Sequence, residues 1–305
     1  MVSEYDAFGP WIYEIDDEHP IPELFAPLIK KDKYCLMMMK IPRQIERRDA
    51  DPGMQLYDYV VGAFESQIFI CIRQDNTAER KRFRYSELSA ISLFSCFLAS
   101  YVTFYFKTGE SFELPFNTIS LNIMKKFVKL VRSKIILDEA SVDLTRCPAP
   151  IRSSQISDVL FINLLNDIDA EEDRPTYPGA FQQAVKMSMK GVSLSRKLAS
   201  IIYPPKLAGG MHLYSDRELI IIERDSEALD RLGEYGYQYI YLPAHNITGI
   251  TVKDAANFAK SQEITITLDG QNQVFRFFAR NSSVPDYYRQ ISTALIPHEA
   301  EEDDL

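Results

Sequence analysis

Phe64-Glu-Ser-Gln-Ile-Phe-Ile-Cys-Ile-Arg-Gln-Asp75 decides the fold, because it returns later in the chain as Tyr214-Ser-Asp-Arg-Glu-Leu-Ile-Ile-Ile-Glu-Arg-Asp225. In both, a short polar turn leads into a run of β-branched and apolar residues, the pattern of a buried strand leaving a hairpin. The match continues downstream. Glu87-Leu-Ser-Ala-Ile-Ser-Leu93 reappears as Asn246-Ile-Thr-Gly-Ile-Thr-Val252, and Val102-Thr-Phe-Tyr-Phe106 as Ile264-Thr-Ile-Thr-Leu268. Each last segment is followed by a Gly-containing turn and one more apolar strand, so one β unit is written twice.

Both copies close with an amphipathic helix. In the first, Leu121, Met124, Val128, Val131 and Ile135 recur at steps of three and four, which puts them on one helical face; Lys125, Lys126, Lys129, Arg132 and Lys134 fall elsewhere. Asn117 or Thr118 can cap the start. In the second, Val284, Tyr287 or Tyr288, Ile291 and Leu295 form the inner face, with Pro285 suited to the first turn. Between the copies a helical linker is expected over 137–206. One helix would run from Ser153 or Ser154 to about Ile168, and a basic one over about Ala180–Ile202, carrying Lys186, Lys190, Arg196 and Lys197. The expected layout is an irregular arm at 1–33, a first domain at 34–136, the linker, a second domain at 207–296 and an acidic tail at 297–305. In the arm, Trp11 is expected to anchor the chain to the first domain.

Size and composition narrow the function classes. With 305 residues, 46% apolar and 25% charged, the chain can bury a sizeable core in each half. A net charge of −9 argues against nucleic acid as a partner, since phosphate neutralisation needs a basic face. The four cysteines are far apart and form no metal-ligand spacing, which fits a reducing cytosol. Met37–Met39 reads as strand core, because alternate strand residues face opposite ways. The four histidines are scattered, His212 and His245 being read as hydrogen-bonded surface residues. No nucleotide-binding or nucleophile-elbow signature is present, so neither catalytic residues nor a cofactor nor a metal is assigned.

The strand motifs Leu88-Ser-Ala-Ile91 and Ile247-Thr-Gly-Ile250, the Gly turn between two apolar strands and the closing helix resemble the bacterial pleckstrin-homology-like (PH-like) domain family, over about 54–136 and 207–296. The resemblance implies an α+β fold: two domains, each a strongly bent antiparallel sheet or partly open barrel capped by its C-terminal helix. Relatives that grip phosphoinositides do so with clustered Lys and Arg at the first hairpin turn. Here those turns read Glu65-Ser66-Gln67 and Ser215-Asp216-Arg217, so no specific phosphoinositide is expected.

The function expected from these readings is that of a non-enzymatic interaction or scaffold protein, binding a protein partner or itself. Two alternatives stand beside it. One is peripheral association with the inner face of a membrane through the basic helix faces at Lys125, Lys129, Arg132, Lys186, Lys190, Arg196 and Lys197. The other is an unrecognised small-molecule binder or hydrolase, which would need a deep pocket with converging polar groups.

Overall fold

In the computed structural model, residues 5, 8–29, 35–136, 142–191, 206–224, 236–280 and 283–296 are described. Contacts divide the chain into two compact units: Met1–Phe104 with Ser111–Ile135, and Tyr105–Glu110 with Ile136–Leu305.

The first unit opens with a five-stranded antiparallel sheet in sequential order: β1 (Tyr13–Glu14), β2 (Cys35–Pro42), β3 (Tyr57–Phe64), β4 (Gln67–Gln74) and β5 (Thr77–Arg84). The stretch that carries the repeat is the turn and second arm of the β3–β4 hairpin, whose Ile68, Phe69, Ile70 and Cys71 are all buried. Edge strand β5 is the opposite in character: Arg80, Lys81, Arg82 and Arg84 load it with charge, which discourages another strand from adding there. A second run follows, in the order β8-β7-β6: β6 (Leu88–Cys96), β7 (Ala99–Phe106) and β8 (Ser111–Asn117). Then comes α1 (Leu121–Ile135), whose Met124, Phe127, Val128, Val131 and Ile135 are buried against β6, β3 and the 3-10 turn at Tyr85–Glu87. Asn117 accepts from Ile119 N at 3.1 Å and caps the entry turn.

The second unit repeats this order. After α2 (Val159–Glu171), capped by Asp158 at 3.0 Å from Leu160 N, come β9 (Tyr177–Gln182) and the short pair β10 (Val185–Lys186) and β11 (Lys206–Leu207). β12 (Gly210–Tyr214), β13 (Glu218–Arg224) and β14 (Tyr237–Pro243) then join β9 in the antiparallel order β14-β13-β12-β9. β15 (Ile247–Asp254), β16 (Gln262–Leu268) and β17 (Gln273–Ala279) form a three-stranded antiparallel sheet, and α3 (Ser283–Leu295) packs on β15, β9 and β16. Among the described residues each unit thus contains a meander of four or five strands, a run of three and a closing helix, to which the second unit adds α2 and the β10–β11 pair. The matched sequence segments fall on matching elements: β4 with β13, β6 with β15, β7 with β16.

Several expectations change. The helix sought over Ala180–Ile202 is not there at its start: Tyr177–Gln182 and Val185–Lys186 are strands, and 192–205 lie outside the described residues. The linker is therefore not purely helical; it supplies β9 to the second unit's sheet. Residues 177–182 pair with β12 instead, and at Gly179 a Cβ would sit 2.1 Å from the ring of Tyr287, so the bare strand backbone lies directly against an α3 aromatic. The first linker helix begins at Val159 rather than Ser153 or Ser154, because Asp158 takes the cap. Trp11 is not the arm's anchor, being 46% exposed; Phe8, Ile12, Phe25 and Ile29 are buried instead.

Candidate functional site

Two surfaces and one buried cluster carry unusual chemistry. The cluster lies inside the second unit. His212 on β12 shares a hydrogen bond with Tyr288 of α3, Nδ1 to Oη at 2.8 Å, and its ring meets Phe277 of β17 edge-on. Glu223 lies opposite Gly210 on β13, and the Gly210 backbone is flanked by both Glu223 Cγ and His212 Nε2. Burial pushes His212 down to about 3 and Glu223 up to about 7, since both resist charging away from water. His212 is therefore a sealed core residue and not the surface histidine expected. The signal was in the alternation: His212 pairs across the strand with Ile221, which shares its strand face with Glu223. The buried His212–Tyr288 pair ties β12 to α3, with the half-buried Glu223 beside it.

The first surface is a groove of the second unit. A cavity of about 500 Å³ bordered by Phe181, Gln183 and Val185 meets one of about 320 Å³ bordered by Lys190, Lys260 and Gln262, and Arg280 at the end of β17 lines both. Arg280 is held by its backbone N–H donating to Gln182 Oε1 at 3.1 Å and by its guanidinium donating to the Lys186 carbonyl. Lys190 donates to the Ala255 carbonyl at 2.9 Å. Among the described residues, three cations border this groove and one carboxylate, that of Asp254.

The second surface is an apolar tip on the first unit. Phe97 and Leu98 form the two-residue link between β6 and β7 and are 49% and 72% exposed; Ile119 is 57% and Trp11 46% exposed. Thr118 N donates to Leu98 O at 3.3 Å, placing Ile119 beside the link. The Ser120 hydroxyl accepts from Ile12 N at 2.8 Å and faces the Pro10 carbonyl at 3.5 Å, bracketing Trp11 against the same corner. The Trp11 ring lies over Gly9, where a Cβ would come within 2.0 Å of it.

The residues proposed from sequence are scattered by this geometry. Lys125 and Lys129 lie half-buried on α1, and Arg132 is only 6% exposed, turned into the packed face with Val128 and Ile135. They do not make an open basic face; one turn on, Lys134 is engaged by Glu65 at 2.5 Å. Lys186 sits on strand β10 and Lys190 borders the groove, while Arg196 and Lys197 lie outside the described residues. Neither Lys260 nor Arg280 was found from sequence, and nor was the apolar tip. For the tip a signal existed: residues 88–106 contain no Asp, Glu, Lys or Arg.

Among the described residues no three His, Cys, Asp or Glu side chains converge as a metal site, and no helix is long and apolar enough to cross a membrane. No protein-family model matches the chain, and no curated protein matches it.

Proposed function

We propose that this chain is a non-enzymatic interaction and scaffold protein built from two PH-like domains and docking a protein partner through the apolar tip of the first. The domain assignment is supported by the order of elements, a strand meander, three further strands and a closing helix, in both units. The cytoplasm is its proposed compartment, in keeping with cysteines that make no disulfide.

One observation carries the functional reading: Trp11, Phe97, Leu98 and Ile119, four large apolar side chains each 46–72% exposed, lie on segments joined by the Thr118–Leu98 and Ile12–Ser120 hydrogen bonds. Single exposed hydrophobes are ordinary, whereas a contiguous group marks an interaction site. Phe97 strengthens the case, because its φ of +42° is one that turns reserve for Gly or Asn.

The test is a photo-crosslinking residue at position 119 in cells. A polypeptide adduct that disappears when Leu98→Glu is added supports the reading; an adduct pattern blind to that substitution removes it.

A second reading, a small anion held in the groove, is favoured by the cation excess of Lys190, Lys260 and Arg280 over Asp254. Thermal unfolding with citrate or inorganic phosphate tests it. A midpoint rise lost in Arg280→Ala supports the groove; no rise with either anion ends that reading.

A further inference from the structure

The apolar tip has a property that identifies its occupant. The three segments that build it, Phe8–Tyr13, Leu88–Phe106 and Leu114–Met124, contain no charged residue, in a chain where a quarter of residues are charged and the net charge is −9. Near Trp11, Phe97, Leu98 and Ile119 the polar side chains that reach the surface are the amides of Asn117 and Asn122 and the hydroxyl of Thr118, while Ser95 and Ser100 are buried beneath them. We infer that the tip is the contact of a two-fold homodimer, in which the Phe97-Leu98 link and Ile119 of one copy pack against the same residues of a second copy.

This rests on the interaction reading above and specifies its partner. In a two-fold contact the same patch faces itself, so any charge near the axis meets its own kind. A patch built from uncharged segments adds no like-charge repulsion of its own to self-contact of this acidic chain. Hydroxyls and amides each donate and accept, so a rim made of them is complementary to its own copy, where a carboxylate or ammonium rim is not. An anionic membrane, by contrast, would need cations among the apolar residues, and these segments have none. The four side chains expose on the order of 400 Å², about half of what each partner contributes to a standard interface. That supplies the apolar centre, with the polar rim completing the contact. Turn geometry fits the role: two strands of nine and eight residues ending in a two-residue link hold Phe97 and Leu98 on a rigid support, so little ordering is lost on contact.

Sedimentation equilibrium of the full chain tests this, with Leu98→Glu and Ile119→Asp as interface variants and Val159→Glu, exposed on α2, as control. Circular dichroism checks that each variant is folded; because both interface positions are exposed, two independent substitutions guard against a folding artefact. The expected result is a wild-type dimer whose dissociation constant rises about tenfold or more in each interface variant and stays unchanged in the control. A wild-type monomer at on the order of 100 μM overturns the inference. So does a dimer indifferent to both substitutions. A monomer that floats with phosphatidylcholine vesicles and loses flotation in Leu98→Glu also overturns it, in favour of a lipid surface. If the chain is monomeric while the position-119 crosslink to another polypeptide persists, the dimer fails and the interaction reading survives.

Discussion

His212, Tyr288 and Glu223 give the second unit a stability that depends on pH in two opposed ways. His212 titrates at about 3 when folded against 6.5 when unfolded, so the unfolded chain takes up the proton more readily, and stability is lost as pH falls below 6.5 toward 3. Glu223 runs the other way. Its carboxyl titrates at about 7 when folded against 4.5 when unfolded, so its contribution is complete below 4.5 and is lost as pH rises through 7. That loss amounts to at most about 3 kcal/mol. Between pH 4.5 and 6.5 the two slopes cancel, so Glu223→Gln is expected to turn a flat profile into one that rises with pH across that window, as read from urea midpoints. An unchanged slope in the variant would show that the carboxyl reaches water.

At the scale of elements, β9 and α2 depend on single residues. Gly179 lets Tyr287 lie on the β9 backbone, and Gly179→Ala would push a methyl to within 2.1 Å of that buried ring. The ring or the strand must move, at about 1–3 kcal/mol, and thermal melting should show it. Asp158 has two duties: it caps α2 and pairs through both oxygens with Arg224 Nη2 at 2.9 Å, tying α2 to β13. Asp158→Ala should cost about 1–3 kcal/mol in chemical denaturation, and Asp158→Asn less, because it keeps the cap. Near-equal losses would mean that the Arg224 pair, not the cap, sets the cost. These elements also mark where the sequence could be read. The β4, β6 and β7 repeats were legible because inward apolar residues and Gly turns are local signals, and α1 and α3 because a stripe at steps of three and four has one reading. β9 was illegible: Tyr177-Pro-Gly-Ala-Phe-Gln182 contains the two residues least expected in a strand. Pro178 is tolerated at a sheet edge, and the register shifts beside it, between His212 and Leu213 of β12. Nothing within six residues announces an edge; only the pairing partner does. The charge pattern of α1 misled for a related reason. Arg132 lies four residues beyond Val128 and shares its packed face, so a long basic side chain occupies a position that polarity alone assigns to solvent. The groove around Arg280 was out of reach, since Lys190, Lys260 and Arg280 meet only after β15, β16 and β17 have folded.

For the whole molecule, the consequence of pairing two chains of net charge −9 through an uncharged contact is a particular dependence on salt. The contact itself contains no ion pair for salt to weaken, so the main electrostatic effect is long-range repulsion between two like-charged bodies. The screening length shrinks from about 30 Å at 0.01 M ionic strength to about 8 Å at 0.15 M, which removes most of that repulsion. Dimerisation should therefore tighten as sodium chloride is raised across this range. Burial of the Trp11, Phe97, Leu98 and Ile119 surfaces should also give the association a negative heat-capacity change, the thermodynamic mark of apolar burial. Sedimentation at several salt concentrations and dilution calorimetry at several temperatures measure the two quantities separately. Leu98→Glu adds a charge of the wrong sign at the axis, so its residual association should be weak at low salt and recover partly at high salt. Dimerisation that weakens with salt would require opposite charges across the contact; these segments provide none, so the two copies would have to meet elsewhere.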